Sequence, residues 1–448
     1  MKLLTLEDIS KACCGEYIGD EKKKIIAIDN VVIDSRLVKK GSLFVAIKGE
    51  HTDGHKYINN AFAAGAVCAV SEEKVDTDKP YILVKSSEQA IKDIAEYYRG
   101  LFDNIEVIGI SGSVGKTSTK EMIAAVLSQE YTVHKTQGNF NNELGVPLTL
   151  LAMPKDTDVA VVEMGISDFG EMTRLSKMVR PTVCVLTNIG CCHLENLKDR
   201  DGVLRAKTEM FNYKSSDALI FVNGDDDKLA SVENVTAFYG IGTNNDFYAE
   251  NINNSGSNSV ECTLCFGDTK LDVTVPALGS YMVSNALAAA AVGKSFNMTD
   301  ENIVKGIESY TTVGSRANLI DTGIIKIIDD CYNANPTSVK AAIDTLCNID
   351  GRHVAVLGDM KELGEKEREL HAEVGLFAAE KKVDVLITVG KLAKLIGENA
   401  GNAEIHHFDT VEQANDEIDT ILHKDDVVLV KASHSMHFEK IVDCLKKL

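Results

Sequence analysis

Gly112, Gly115, Lys116 and Thr117 stand at the spacing G-x-x-G-K-T, inside the run IEVIGISGSVGKTSTKE over residues 105–121. An apolar stretch, residues 107–110, precedes them, and a helix-forming segment follows. Strand, glycine turn and helix start in that order make a phosphate-binding loop. Glycines let the backbone approach an anion with no Cβ in the way, and the turn and helix N-terminus aim N–H groups at it. Lys116 supplies a point charge for terminal phosphates, and Thr117 offers a hydroxyl to magnesium. The longer pattern G-x-x-x-x-G-K-[ST] needs a glycine at position 110, where this chain has Ile110, so the loop has the shorter form.

Further candidates sit where strands end. Residues 159–162 read as a buried strand ending at Glu163. Parallel α/β sheets bind ligands at the carboxyl ends of their strands, so this carboxylate is placed for a magnesium ion on a nucleotide. Residues 182–186 form a second such strand, followed by Thr187-Asn188-Ile189-Gly190 and His193. A helix over residues 202–211 carries Lys207 and Glu209; by pattern alone Lys207 is an ordinary surface lysine. Residues 136–147, TQGNFNNELGVP, hold too many amides and glycines for helix or strand. They form a loop whose side chains both donate and accept, toward a ligand or toward solvent. In the first hundred residues, Asp34-Ser35-Arg36 and the segment KGEHTDGH, residues 48–55, flank a short strand at 44–47. That placement suits a shared ligand at the strand end or two solvated turns equally.

Composition bounds what these residues serve. A chain of 448 residues predicts about three domains, and 44% hydrophobic with 25% charged residues is a globular composition. The net charge of −20 argues against nucleic acid and against an anionic membrane surface. A phosphorylated substrate must then be held by a few local cations and backbone amides. The eleven cysteines follow no framework spacing. The start, MKLLTLEDISKACC, carries acidic residues where a signal peptide needs an unbroken apolar run, and no stretch approaches membrane-spanning length. Reduced thiols in a cytoplasmic protein are expected. Cys262-x-x-Cys265 has a metal-like spacing. However, Val260, Cys262, Leu264 and Phe266 alternate as on a strand, and no second pair completes four ligands. It is read as strand packing.

The elements that position these residues repeat as strand–loop–helix units, which predicts an α/β chain with mostly parallel sheets. Residues 1–100 form a small α/β domain, with a helix at 57–65, strands at 66–70 and 82–84, and a helix at 86–99. Residues 100–104 read as a linker. A central domain, 101–312, begins with the phosphate loop and its helix, 116–130; it ends in antiparallel hairpins over 238–275 and a helix at 285–291. The third domain, 313–448, has strands at 324–328, 354–357, 385–389 and 427–430. It is Rossmann-like, yet no G-x-G-x-x-G follows its first strand, so dinucleotide binding is not indicated.

On the segments GSVGKTSTK (112–120), TQGNFNNELGVP (136–147), DCYNANP (330–336) and LGDMKELG (357–364), the chain resembles the Mur ligase family. These are the ATP-dependent amide-bond ligases of bacterial cell-wall synthesis. The likeness covers essentially the whole chain. The last two segments are the most discriminating and match the branch that adds D-alanyl-D-alanine to a UDP-N-acetylmuramoyl-tripeptide. The resemblance implies a monomeric cytoplasmic enzyme of peptidoglycan precursor synthesis, using ATP and two magnesium ions. By that likeness Gly112, Ser113, Val114, Gly115, Lys116, Thr117 and Ser118 cradle the triphosphate, and Asn285 contacts the adenine. Arg316 and Asp330 reach the nucleotide from the third domain. Thr117 and Glu163 serve one magnesium ion; His193 serves the other, with Lys207 carried as a carbamate. Lys116, His193 and Lys207 form the implied catalytic set. Ser35, Arg36, Lys48, Gly49, Thr52, Asp53, Gly54 and His55 match the UDP-sugar site, and Asn139, Asn142, Asn333 and Asn335 are further substrate contacts.

The chain departs from the family pattern twice. Tyr281-Met282 stand where a His-Asn pair is common, and Ser433-His434-Ser435-Met436-His437 replaces Ser-Arg-Ser-Met-Arg. Two fixed cations thus become groups that titrate near neutral pH. A sister ligase that adds diaminopimelate or lysine would carry a D-N-P-R or D-D-N-P motif, which is missing from the last domain. A folate polyglutamate synthase would start almost directly with the nucleotide domain. A non-catalytic scaffold would be expected to lose one of Lys116, Thr117, Glu163, His193 and Lys207, and all five stand.

Overall fold

In the computed structural model, which describes residues 1–49, 52–254 and 258–448, three β-sheets follow one another along the chain. The first, in spatial order, comprises Glu16–Ile18, Tyr81–Leu83, Cys68–Ser71, Ser42–Val45 and Asn30–Val32; all pairs but the first are parallel. The central nine-stranded sheet has Glu106–Ser111 between Val159–Glu163 and Val183–Leu186, all parallel. The third sheet orders Asn318–Asp321, Lys326–Asp329, Asp426–Lys431, Arg352–Gly358, Val385–Val389 and Glu404–Phe408, parallel except for the first pair. The expected mixed α/β class with mostly parallel sheets is what the chain adopts. None of the described helices is long and apolar enough to cross a membrane.

Most expected strands are observed within a residue or two. Five others were not foreseen: Glu16–Ile18, Asn30–Val32, Val133–Lys135, Asn318–Asp321 and Glu404–Phe408. All five are sheet edges. An edge strand is covered on fewer sides, so it is short and polar and leaves a weak apolar signal. The hairpin region also differs from expectation. Ala237–Tyr239 pairs parallel to Leu219–Asn223, and antiparallel pairing begins only at Phe247–Asn253 with Val260–Phe266. Cys262 and Cys265 lie buried on that second strand, as packing predicts.

The expected linker is not a free tether. Phe102 is only 5% exposed and packs edge-on against Tyr98, with ring centroids 5.4 Å apart. The Tyr98 hydroxyl donates to the Met153 carbonyl at 2.7 Å, across into the central sheet's layer. One continuous core runs through all three sheets, from Leu43 through Val107 to Leu357.

Behind the phosphate loop, helix Lys116–Leu127 packs on Tyr281–Ser295 and Asp300–Glu308. Residues 288–291 of the middle helix are alanines, all at or near full burial, so the backbones approach closely. The tightest approach is at Gly306, where a Cβ would lie 2.4 Å from Val126 Cα. Alanine there gains about 1 kcal/mol of helix propensity, but the clash is with backbone and forces the helices apart. We expect Gly306→Ala to lose up to about 2 kcal/mol net, the overpacking cost of about 1–3 kcal/mol less that gain. A urea midpoint at or above that of the parent would contradict this.

Candidate active site

The phosphate loop is shaped by two glycines and held from the neighbouring strand. Gly115 adopts φ +82° just before the helix, a left-handed conformation that side chains disfavour. A Cβ on Gly112 would sit 1.9 Å from Thr187 Oγ1. Thr187 Oγ1 donates to the Val114 carbonyl at 2.6 Å, and Asn188 Oδ1 accepts from Val114 N–H at 2.9 Å. Ser113 Oγ accepts from Gly190 N–H at 2.8 Å. The loop after Val183–Leu186 therefore sets the loop after Glu106–Ser111. Lys116 Nζ donates to the Gly112 and Ser113 carbonyls at 2.8 and 3.2 Å. Burial, chiefly, lowers the pKa of Lys116 from its ordinary value.

Glu163 ends its strand as expected and is 1% exposed. Thr117 Oγ1 donates to its Oε2 at 2.9 Å, and Asn141 Nδ2 donates to its Oε1 at 2.8 Å. Its own N–H donates to Thr136 Oγ1 at 3.0 Å. Lys120 Nζ stands 4.0 Å from Oε2 while donating to the Thr136 carbonyl at 2.7 Å. A hydroxyl and a carboxylate side by side are hard oxygen donors. Among the described residues no group of three or more His, Cys, Asp or Glu side chains gathers into a cage. That donor set fits magnesium, which is bound through one or two carboxylates together with substrate phosphates.

Lys207 lies on helix Arg200–Thr208, shorter than expected because a 3-10 turn, Glu209–Tyr213, takes over its end. Far from being a surface lysine, it is 1% exposed. Burial pushes its pKa down to about 8; Lys116 lowers it further, and Cys192 opposes the shift. A buried amine beside a second ammonium fits conversion to a carbamate, which reverses the sign of the repulsion.

Above the loop opens a cavity of about 590 Å³. Ser113, Val114, Gly115, Lys116, Thr117, Ser118, Glu163, His193 and Asn285 line it from the central sheet, with Asn142 from the 136–147 loop. Arg316, Asp330, Asn333 and Asn335 line it from the third. Asn285 is held by Thr119 Oγ1, which donates to its Oδ1 at 2.9 Å. The Arg316 guanidinium lies over the Tyr332 ring at 3.9 Å, and His434 lies on the same ring, centroids 5.7 Å apart. Asp330 pairs with Lys431 at 2.5 Å. His437 instead reaches out to Glu439 at 3.1 Å.

Other expected residues lie elsewhere. Asn139 is exposed and, with Gly112 and Lys207, does not line the cavity. Ser35, Arg36, Lys48, Gly49 and residues 52–55 sit past the carboxyl ends of two adjacent parallel strands of the first sheet, away from the cavity lining. There Arg36 pairs with Asp34 at 2.7 Å, and His55 Nδ1 with Asp53 Oδ1 at 2.7 Å. Lys48 and Asp53 form an isolated bridge, and Gly49 N–H donates to the Thr52 carbonyl at 2.9 Å. Gly54 N–H donates to the Ile47 carbonyl at 2.9 Å. Glu50 and His51, within that segment, lie outside the described residues.

Sequence reasoning missed Lys431, Asn141 and Glu143. Lys431 ends a parallel strand just as Glu163 does, so the same rule would have found it. Asn141 lay in the quoted loop, but its bond to Glu163 spans 22 residues. Glu143 joins Lys92 at 3.0 Å and Arg174 at 2.6 Å, tying the first body to the central one, and no local pattern announces that.

Comparison with known proteins matches the chain to three family models. They are described as Mur ligase family, catalytic domain, over residues 27–116; Mur ligase middle domain, over 110–293; and Mur ligase, glutamate ligase domain, over 315–434. The UDP-N-acetylmuramoyl-tripeptide–D-alanyl-D-alanine ligase of Bacillus subtilis (strain 168) is 37% identical over 98% of this chain and 97% of its own. A crystal structure of MurF from Acinetobacter baumannii superposes with a TM-score of 0.92 at 31% identity, covering 100% of both chains. The MurF ligase from Thermotoga maritima, solved in complex with ADP, gives 0.84 at 30% identity, covering 93% of this chain and 97% of that one.

The buried Lys207 has a measurable signature. Below pH 8 its ammonium costs the fold a full share. Between about 8 and the unfolded value of 10.5 the native lysine sheds its proton before the unfolded one does, and the cost fades. That gap corresponds to about 3 kcal/mol. In carbon-dioxide-free buffer, Lys207→Met should raise the unfolding free energy by that amount at pH 7, with the gain vanishing by pH 10.5. Equal stability at pH 7 would contradict the burial.

Proposed function

Given that the chain belongs to the Mur ligase family, we propose that it joins D-alanyl-D-alanine to a UDP-N-acetylmuramoyl-tripeptide, consuming ATP and passing through an acyl phosphate. The observation that carries this reading is the single cavity lined at once by the phosphate loop, by Asn142 and by Asn333 and Asn335. A triphosphate and two acceptors meet best in such a space, since the chemistry depends on positioning and charge neutralisation.

In this mechanism Lys116 and the helix N-terminus hold the triphosphate. The terminal carboxylate of the tripeptide attacks the γ-phosphorus, and the bond to the β-phosphate oxygen breaks, releasing ADP. The free amine of the dipeptide then attacks the acyl carbon. It loses a proton as the C–O bond to phosphate breaks, giving the amide and inorganic phosphate. Magnesium, held by Thr117 and Glu163 and at a second position by His193 and carbamylated Lys207, would supply positive charge to the phosphate oxygens. Arg316 and Asp330 approach the nucleotide from the third sheet, and Asn285 meets the adenine. Gly112 shapes the loop from below. Ser35, Arg36, Lys48, Gly49, Thr52, Asp53, Gly54 and His55 hold the UDP-sugar, with Asn139 and Asn142 further along the peptide.

The domains run 1–100 for the UDP-sugar peptide, 101–312 for ATP and 313–448 for closure, in a monomer of the bacterial cytoplasm. The experiment is phosphate release from ATP and magnesium with the UDP-linked tripeptide, with and without D-Ala-D-Ala. Release that needs the dipeptide, with the amide product seen by mass, is expected; release with a single amino acid instead would move the chain to a sister ligase. Lys116→Ala should lower turnover about 100- to 1000-fold, the usual effect of removing one group that stabilises developing charge. Full activity in that variant would remove Lys116 from the site.

A further inference from the structure

We infer that Thr119 and Met282 are positioning residues that lock the Asn285 amide in one orientation, and that this lock makes the nucleotide site choose a 6-aminopurine over a 6-oxopurine. Thr119 Oγ1 donates to Asn285 Oδ1 at 2.9 Å, and Asn285 Nδ2 donates to Met282 Sδ at 3.2 Å. A carboxamide has two N–H donors and two lone pairs on its oxygen. One of each is spent inside the protein, and one of each remains on a side chain that lines the cavity. The sulfur decides which end of the amide is which. A thioether only accepts, so turning the amide over would press Oδ1 against Sδ with no proton between them. Met282 stands where the family often has asparagine, a side chain that both donates and accepts and so would tolerate either orientation.

Burial makes the lock stiff. Thr119 is fully buried, Met282 is 3% exposed and Asn285 7%. Met282 and Asn285 are three positions apart on helix Tyr281–Ser295, so they share a face. Met282 belongs to the apolar core that also holds Met122 and Ile123 of helix Lys116–Leu127. Thr119 comes from that same helix, and its N–H donates to the Gly115 carbonyl at 2.9 Å. Asn285 Oδ1 lies 3.5 Å from where a Cβ on Gly115 would stand. The helix that offers its N-terminus to phosphates thus also sets the amide that reads the base. The remaining lone pair and N–H match adenine, whose amino group donates beside a ring nitrogen that accepts. In hypoxanthine or guanine the atom in place of that amino group is an acceptor oxygen, which would face the amide oxygen. A buried polar group left unpaired in this way rejects the wrong ligand strongly. That a base sits here rests on the ligase reading above; the orientation of the amide does not.

The test is binding, with neither the tripeptide nor the dipeptide present. Dissociation constants for ADP and for IDP, whose base carries an oxo group in place of the amino group and a proton on N1, are measured by calorimetry on the full chain with magnesium. We expect the parent to favour ADP about 5- to 150-fold, the range for one correctly paired bidentate contact. Met282→Leu keeps the volume and removes the acceptor, and should cut that preference about 3- to 10-fold, the usual worth of one hydrogen bond. Thr119→Val should cut it likewise, whereas Thr119→Ser, which keeps the hydroxyl, should hold it. Side chains that served packing alone would weaken ADP and IDP together and leave their ratio unchanged. An unchanged ratio in either Met282→Leu or Thr119→Val overturns the inference; should one of the two fail to fold, the other decides. A parent that binds both diphosphates equally, or neither, overturns it as well. A ratio that falls as expected, in a chain that makes no amide product, upholds the inference and sinks the ligase reading alone.

Discussion

A carboxylate sealed from water must be satisfied by whatever packs around it, and Glu163 draws its partners from two separate stretches of chain. Thr117 comes from the helix after the phosphate loop and Asn141 from the polar loop that follows it, while Thr136, at the start of that loop, accepts from the Glu163 backbone N–H. Lys120 stands beside them with its own charge spent on Glu121 and the Thr136 carbonyl. Losing one partner would leave part of a buried charge unmet, at a cost of about 1–3 kcal/mol. Loop, helix and strand are therefore fixed relative to one another at the point where phosphates would lie. Lys116 and Thr117 are consecutive, so fixing one orients the other.

The same economy of contacts joins the sheets. The first meets the central one through Lys92, Glu143 and Arg174, and through the aromatic pair at Tyr98 and Phe102. The third meets it at His193 and Glu362. Asp330 and Lys431, with the stack of Arg316, Tyr332 and His434, form a wall facing the phosphate loop across the cavity. In that stack His434 keeps an aromatic contact at a position where the family often has arginine.

Some of this was legible in residue order. The phosphate loop is local: strand, turn, lysine and helix fall within seventeen residues, and each has its own physical signal. Glu163 was legible because strand ends bind ligands in parallel sheets. Lys207 was not, since a buried lysine on a helix looks like an exposed one until its neighbours are known; only family likeness drew attention to it. The polar edge strands were missed because their sequences obey solvent on one side. Glu362 was quoted within a motif, but its partner lies 169 positions earlier, and nothing in either stretch names the other.

The packed junction at Phe102 bears on how the chain is made. The Tyr98 hydroxyl waits for a carbonyl 55 residues downstream. At bacterial or eukaryotic translation speeds that stretch takes roughly 3 to 11 s to synthesise. Until the central layer arrives, the side of the first body that carries Tyr98 and Phe102 is bare. Its completion is thus tied to the arrival of the nucleotide-binding layer, and the N-terminal hundred residues, made alone, would offer that bare surface permanently to chaperones or to one another.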